Sequence, residues 1–195
     1  SVIMQRGEEL DRTQIETIME RASGQAGRAA DILARLRKFI ETGNVEKKSV
    51  DIADVVHSAA ALVTPSFKQY QIDFQFSIAP DLPRVMASSV QVQQVLVNLI
   101  RNGCEAMADT PEKTLKITAE EHGMSSIKVG VLDNGSGITP DALEKLYQPF
   151  NSTKGGGLGV GLSICRSIIA AHDGKLWSES APQTGTHFYF SLPAA

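Results

Sequence analysis

The chain has 195 residues and 42% hydrophobic content, enough for one domain of ordinary size plus a further element, or for two small domains. A net charge of −3, from 22 acidic and 19 basic residues, argues against a surface built for nucleic acid. No apolar run approaches the ~18 residues of a membrane span, and Cys104 and Cys165 lack metal spacing and read as core thiols of a reducing, cytoplasmic setting.

From about residue 11 to residue 41 the pattern predicts one long helix. Ile15, Ile18, Ala22, Ala26, Ala29, Leu33, Leu36 and Ile40 recur at steps of three and four, a seam of coiled-coil type. A single helix cannot bury such a seam, so a helical hairpin or a dimer is expected. Gly43 closes the helix. A short strand over 45–50 leads to Asp51, which caps a helix running to about Thr64, before Pro65. Residues 72–78 alternate as a strand, and 79–83 form a loop.

Ser88 opens the next helix, with Gln91 at the fourth place of a capping box. That helix runs to about Met107. Strands are expected at 115–120 and 127–132. Asp133 to Gly137 form a loop, and Pro140 starts a short helix at its first position. Residues 151–162, NSTKGGGLGVGL, form a glycine-rich loop feeding a buried helix at 162–169. Strands at 175–179 and 187–192 close the chain, separated by the Gln183-Thr184-Gly185 turn. This order of elements predicts an α+β fold, a mostly antiparallel sheet with helices on one face.

The glycine-rich loop offers free N–H groups and the positive end of a helix dipole, both of which favour phosphate. It is neither of the two common nucleotide loops. Gly157, Gly159 and Gly161 run G-x-G-x-G, with Leu162 where a Rossmann turn needs its third glycine, and no G-K-[ST] follows as in a P-loop. Asn98 and Asn102 share one face of an otherwise apolar helix, where asparagine is a poor interior residue. Their side-chain oxygens suit Mg²⁺, or else brace a neighbouring loop. Asp133 can accept from an exocyclic amine, with Gly135 and Gly137 admitting a flat ring, or can simply make an Asx turn. His57, His122, His172 and His187 show no metal spacing and read as structural or exposed.

The order of these pieces resembles the sensor histidine kinases of two-component systems. Residues 94–102, QVLVNLIRN, look like the N box, and 133–137, DNGSG, like the first glycine box. Leu146 to Phe150 with Thr153 and Lys154 resemble the F box. Residues 157–162, GLGVGL, resemble the second glycine box, and Gly185-Thr186 the last short element. Within the family the chain looks closest to oxygen-sensing kinases of the rhizobial type. Gly103 departs from the usual alanine and Tyr147 from the usual phenylalanine.

The resemblance implies a two-layer α/β sandwich of the GHKL (Bergerat) type over residues 45–195. Residues 1–44 would be part of a dimerisation hairpin, its second helix, without the acceptor histidine. It also implies ATP and Mg²⁺ as ligands. Asn98 and Asn102 would be catalytic, with Asn102 on the metal, Asp133 on the adenine amine, and Gly135 and Gly137 framing the ring. Thr186 would support the adenine end. Lys154, Gly157, Leu158, Gly159, Val160, Gly161 and Leu162 would make a lid over the phosphates, ordered only when nucleotide is bound. Hydrolysing relatives carry a glutamate base where Asn98 stands, and an amide cannot take a proton from water. The expected partners are ATP or ADP, a response-regulator receiver domain and a second copy through the hairpin, with no nucleic acid. A hydrolysing GHKL ATPase and a non-catalytic scaffold lacking the acceptor are the alternatives.

Overall fold

The structure, a computed structural model, describes Met19, residues 46–147 and residues 160–195. The chain divides into two compact units, Ser1–Gly43 and Asn44–Ala195. Apart from Met19, the described residues all belong to the second. The long seamed helix expected over 11–41, most of the F box and the glycines at 155–159 lie outside the described residues.

Strand β1 (Lys48–Val50) leads into helix α1 (Ile52–Phe67). Asp51 is extended and its carboxylate accepts the Ala53 N–H at 2.9 Å, satisfying one orphan donor of the first turn. Ile52, Val55, Val56, Ala59, Ala60 and Val63 form the buried stripe, at the spacing of one helical face. The helix does not stop before Pro65 as expected. Proline removes one N–H, but the carbonyl it would have served belongs to exposed Ala61, and Phe67 beyond it packs on the core. Packing carries the helix one turn past its breaker.

Strand β2 (Asp73–Ile78) and the short β3 (Val85–Ala87) follow. β3 pairs antiparallel with β1, Lys48 opposite Ala87. Helix α2 (Ser89–Ala106) buries Val92, Val95, Leu96, Leu99, Ile100, Gly103 and Cys104. The capping box is half formed by its own residues. Ser88 Oγ accepts the Gln91 N–H at 3.4 Å, but the Ser88 N–H goes to His172 Nε2 at 3.0 Å.

Strands β4 (Thr114–Glu121) and β5 (Ser126–Asp133) form a hairpin. Helix α3 (Pro140–Glu144) is short, with proline at its start. Helix α4 (Gly161–Ala171) precedes β6 (Lys175–Ser180) and β7 (Thr186–Pro193). The main sheet runs β2-β4-β5-β7-β6. All neighbours are antiparallel except β2 and β4, whose pairing is parallel because the chain crosses over through β3 and α2 between them.

The inward residues of the central strands, Leu115, Ile117 and Ala119, Ile127, Val129 and Val131, and Phe188, Phe190 and Leu192, are all buried. They meet the apolar faces of α1, α2 and α4 in one core, α2 lying between the other two helices. Each such aliphatic burial stabilises the fold by about 1.5–3 kcal/mol relative to exposure. The architecture is a two-layer α+β sandwich.

Candidate functional site

Strand β5 ends on Asp133, which is 4% exposed. Its Oδ1 accepts the N–H of Gly135 at 2.9 Å and that of Thr186 at 3.2 Å. The first bond is an Asx turn. The second crosses to β7, where Thr186 pairs with Asp133 in the ladder. The Asx-turn reading of Asp133 is met by these bonds. The same carboxylate that shapes its loop is fixed at the sheet end.

The loop beyond Asp133 is pinned on two sides. The Ser136 N–H reaches Ala106 O at the end of α2, and Ser136 O accepts the Gln183 N–H at 2.7 Å. The Ile138 N–H reaches Ser180 Oγ at 2.9 Å, and Ser180 Oγ in turn donates to Gly185 O at 2.8 Å and lies 3.1 Å from Thr186 Oγ1. Thr186 is thus tied to the Asp133 loop through backbone and hydroxyl alike. Gly135 passes so close to Ala106 O that a Cβ would collide with it. Gly137 has φ +70°, and a Cβ there would run into the Ala181 carbonyl. Neighbouring Asn134 braces the loop from the β4 side, accepting the Thr114 N–H at 3.0 Å and donating to Glu112 O at 2.7 Å.

Helix α2 forms the floor. A Cβ on Gly103 would sit 3.3 Å from Asp133 Cβ, so this turn of α2 lies against the Asp133 side chain. Adjacent Asn102 is half-buried, and its amide makes no hydrogen bond among the described residues. Asn98, one turn earlier, is also half-buried and donates from Nδ2 to Cys165 Sγ on α4 at 3.2 Å. Burial pushes the Cys165 thiol up to about 12, so the sulfur stays protonated.

At the start of α4 the expected site residues separate into two kinds. Val160 belongs to the hydrophobic core and Leu162 packs against it, so their side chains anchor the turn. Val160 supplies no side-chain cap to α4, which leaves first-turn N–H groups for another acceptor. Lys154, Gly157, Leu158 and Gly159 lie outside the described residues. Tyr147, where phenylalanine was expected, places its hydroxyl 3.0 Å from Ser178 Oγ and its ring under the Arg166 guanidinium at 5.5 Å. Burial raises its phenol.

Sequence reasoning missed two supporting residues. Ser180 and Cys165 sit in ordinary strand and helix patterns, and nothing local marks them. The sequence reads His172 as structural or exposed, and it is structural. It is buried, with Nδ1 on Ile168 O at 2.8 Å and Nε2 on the Ser88 N–H.

A family model described as histidine kinase-, DNA gyrase B- and HSP90-like ATPase matches residues 87–195. The chain belongs to this family. It is homologous to sensor histidine kinases. It is 42% identical over 182 residues to the sensor protein FixL of Bradyrhizobium diazoefficiens, covering 93% of this chain and 36% of that protein. It is 33% identical over 182 residues to the C4-dicarboxylate transport sensor protein DctS of Rhodobacter capsulatus, covering 93% of this chain and 28% of that one. The chain thus spans about a third of the length of these curated relatives.

Among solved structures, the nucleotide-free catalytic domain of histidine kinase ThkA superposes with a TM-score of 0.69 at 32% identity, covering 77% of this chain and 97% of that one. Histidine kinase ThkA in complex with response regulator protein TrrA gives 0.70 at 27% identity, covering 98% and 53%. The resemblance carried by the five motifs, and the GHKL sandwich it implied, are borne out by these matches and by the sheet and helix order.

Proposed function

We propose that this chain is the kinase core of a sensor histidine kinase. It binds Mg-ATP over α2 and delivers the γ-phosphoryl to a histidine for relay to a response-regulator aspartate. The observation that carries the reading is the meeting of Asp133 and the Asn102 turn of α2 through Gly103. A fixed buried carboxylate and an amide without a described partner then lie at one end of one helix. Asp133 holds the adenine amine, Gly135 and Gly137 frame the ring, and Thr186 supports that end. The first turn of α4 offers N–H groups to phosphate. Lys154 and the glycines to Gly161 complete the phosphate side.

Mg²⁺ fits this donor set. Among the described residues no group of three His, Cys, Asp or Glu could hold a metal ion. In this reading a hard cation takes Asn102 Oδ1 and draws its other oxygens from phosphate and water, the usual Mg²⁺ arrangement. When bound it neutralises charge on the transferring phosphoryl group. The chain's own part is positioning.

The acceptor histidine lies outside this chain in this reading. His172 is enclosed with both ring nitrogens engaged. His57 lies 5.2 Å from the Phe76 ring, His122 at 6.1 Å from Trp177 and His187 at 6.3 Å from Tyr189. Residues 1–44 act as part of the dimerisation hairpin. A receiver domain is the partner, as ThkA with TrrA illustrates for that protein. Among the described residues no helix is long and apolar enough to cross a membrane.

Calorimetry with Mg-ADP tests the reading. Asn102→Ala and Asp133→Asn should each weaken binding more than about tenfold, the loss of a charge-assisted or metal contact. Wild-type affinity in both variants overturns it. Steady ATP turnover by the chain alone would favour a hydrolysing ATPase instead.

A further inference from the structure

We infer that Gly161 and Cys165, one turn apart on α4, form a two-point clamp that positions the Asn98 side-chain amide toward the nucleotide. The inference rests on the nucleotide site proposed above and assigns these two residues a role within it.

Asparagine is a poor choice for a helix interior, since its amide competes for nearby backbone groups. Asn98 is held away from such bonds by α4. Its Nδ2 donates to Cys165 Sγ at 3.2 Å. The outer edge of its amide, between Oδ1 and Nδ2, faces Gly161, where a Cβ would come within 2.8 Å of Oδ1, 3.1 Å of Nδ2 and 3.3 Å of Cγ. The contacts span that edge, so any side chain at 161 would displace the whole group. Residues 161 and 165 share one face of α4 because they are four apart.

The sulfur therefore fixes which end of the amide is engaged. Because Cys165 holds Nδ2, Asn98 presents its carbonyl oxygen to the site. Oxygen suits a hard cation or its water, whereas an N–H end would suit phosphate oxygens directly. The thiol is 2% exposed and remains protonated, so it offers a neutral acceptor of constant character. The clamp also makes Asn98 depend on the seating of α4. Gly161 thereby serves a steric purpose beyond phosphate contact. It is the one position where the helix following the glycine-rich stretch must lack a side chain for Asn98 to fit.

The test uses the chain as it stands, with calorimetry of ADP in the presence and absence of Mg²⁺. Cys165→Val keeps an apolar side chain, slightly larger, and removes the acceptor. It should weaken Mg-ADP binding about 3- to 10-fold, the usual worth of one hydrogen bond, and leave metal-free ADP binding unaffected. Cys165→Ser restores an acceptor and should return affinity to within about twofold of wild type. Gly161→Ala should weaken binding, and Asn98→Ala should abolish the further effect of either Gly161→Ala or Cys165→Val, since coupled residues are non-additive.

A purely structural thiol would lower the melting temperature in every background and leave these affinities alone. Additive losses in the Asn98→Ala background, or no rescue by serine, overturn the clamp. If Cys165→Val does not fold, the Cys165→Ala and Cys165→Ser pair reads the same contrast. Should Asn102→Ala abolish binding while the Asn98 and Cys165 variants bind as wild type, only the clamp falls. Should Asn102→Ala bind as wild type as well, the nucleotide site itself falls.

Discussion

The carboxylate of Asp133 accepts the backbone N–H of Thr186 at 3.2 Å, joining positions 53 residues apart. With the Gly135 N–H on the same oxygen, one side chain sets both the loop after β5 and its junction with β7. Asp133→Ala strands two buried donors at about 1–3 kcal/mol each, so its loss of binding would be confounded with loss of stability. Asp133→Asn separates the two. An asparagine keeps an acceptor for both N–H groups but turns its other end into a donor, which repels an exocyclic amine. Expected is a urea midpoint near wild type together with Mg-ADP affinity reduced more than about tenfold. Equal affinity would remove Asp133 from the adenine contact.

His172 links the far end of α4 to the start of α2. Its Nε2 takes the Ser88 N–H, the donor that a capping-box glutamine would otherwise serve. His172→Phe keeps an aromatic of similar bulk but accepts nothing. It should cost about 1–3 kcal/mol of unfolding free energy, the penalty of one buried unsatisfied donor. Urea unfolding measures it, and Mg-ADP affinity should be unchanged at temperatures where the variant is folded. A stability equal to wild type would mean that the Ser88 N–H finds another acceptor.

What the sequence disclosed and withheld divides along physical lines. Local chemistry was legible. Asp51 and Ser88 cap helices because short oxygen side chains fit extended N-cap backbone, and Pro140 starts α3 because its missing N–H has no use there. The inward rows of β4, β5 and β7 follow from alternation. Pairing was not legible. Alternation in residues 72–78 marks a strand but carries no direction, so the parallel match of β2 with β4 depends on the crossover through α2. β3 has three residues, too short for a pattern. The Pro65 boundary failed because Phe67 packs beyond it. Of the proposed site residues, Asn98 and Asn102 stood out by type and spacing and Asp133 by its place before two glycines, while Thr186 was marked only by the family resemblance. Cys165, Ser180 and His172 did not stand out, because their roles depend on what another element brings beside them.

Gly137 and Gly123 make a controlled pair. Both have positive φ, +70° and +69°. A Cβ on Gly123 would meet nothing within 4 Å, whereas one on Gly137 would strike the Ala181 carbonyl. Gly123→Ala should therefore cost about 1–2 kcal/mol, the left-handed penalty alone. Gly137→Ala should cost more, because the backbone on either side must also move. It should displace the Asp133 loop enough to weaken Mg-ADP, and Gly123→Ala should not. Comparable stability losses in the two variants would show that the turn carrying Ala181 yields freely.

The two buried thiols give the protein an alkaline liability. Burial raises Cys165 from 9.0 to about 12, and it does the same for Cys104, with the nearby charges of Glu105 and Asp133 adding to the effect. Both groups hold their protons more tightly when folded than when unfolded. Their stabilising contribution is complete below 9.0 and is lost as pH rises toward the folded values. Between pH 9 and pH 10 unfolding free energy should fall by up to about 1.4 kcal/mol per thiol as the unfolded chain ionises. Urea midpoints at pH 8, 9 and 10 measure the slope. Cys104→Ala and Cys165→Ala should each flatten it by a similar amount, while both native thiols stay inert to alkylation until unfolding. A slope unaltered by either substitution would assign the loss to other groups, such as Tyr147 and Tyr189, whose phenols are also raised by burial and titrate higher.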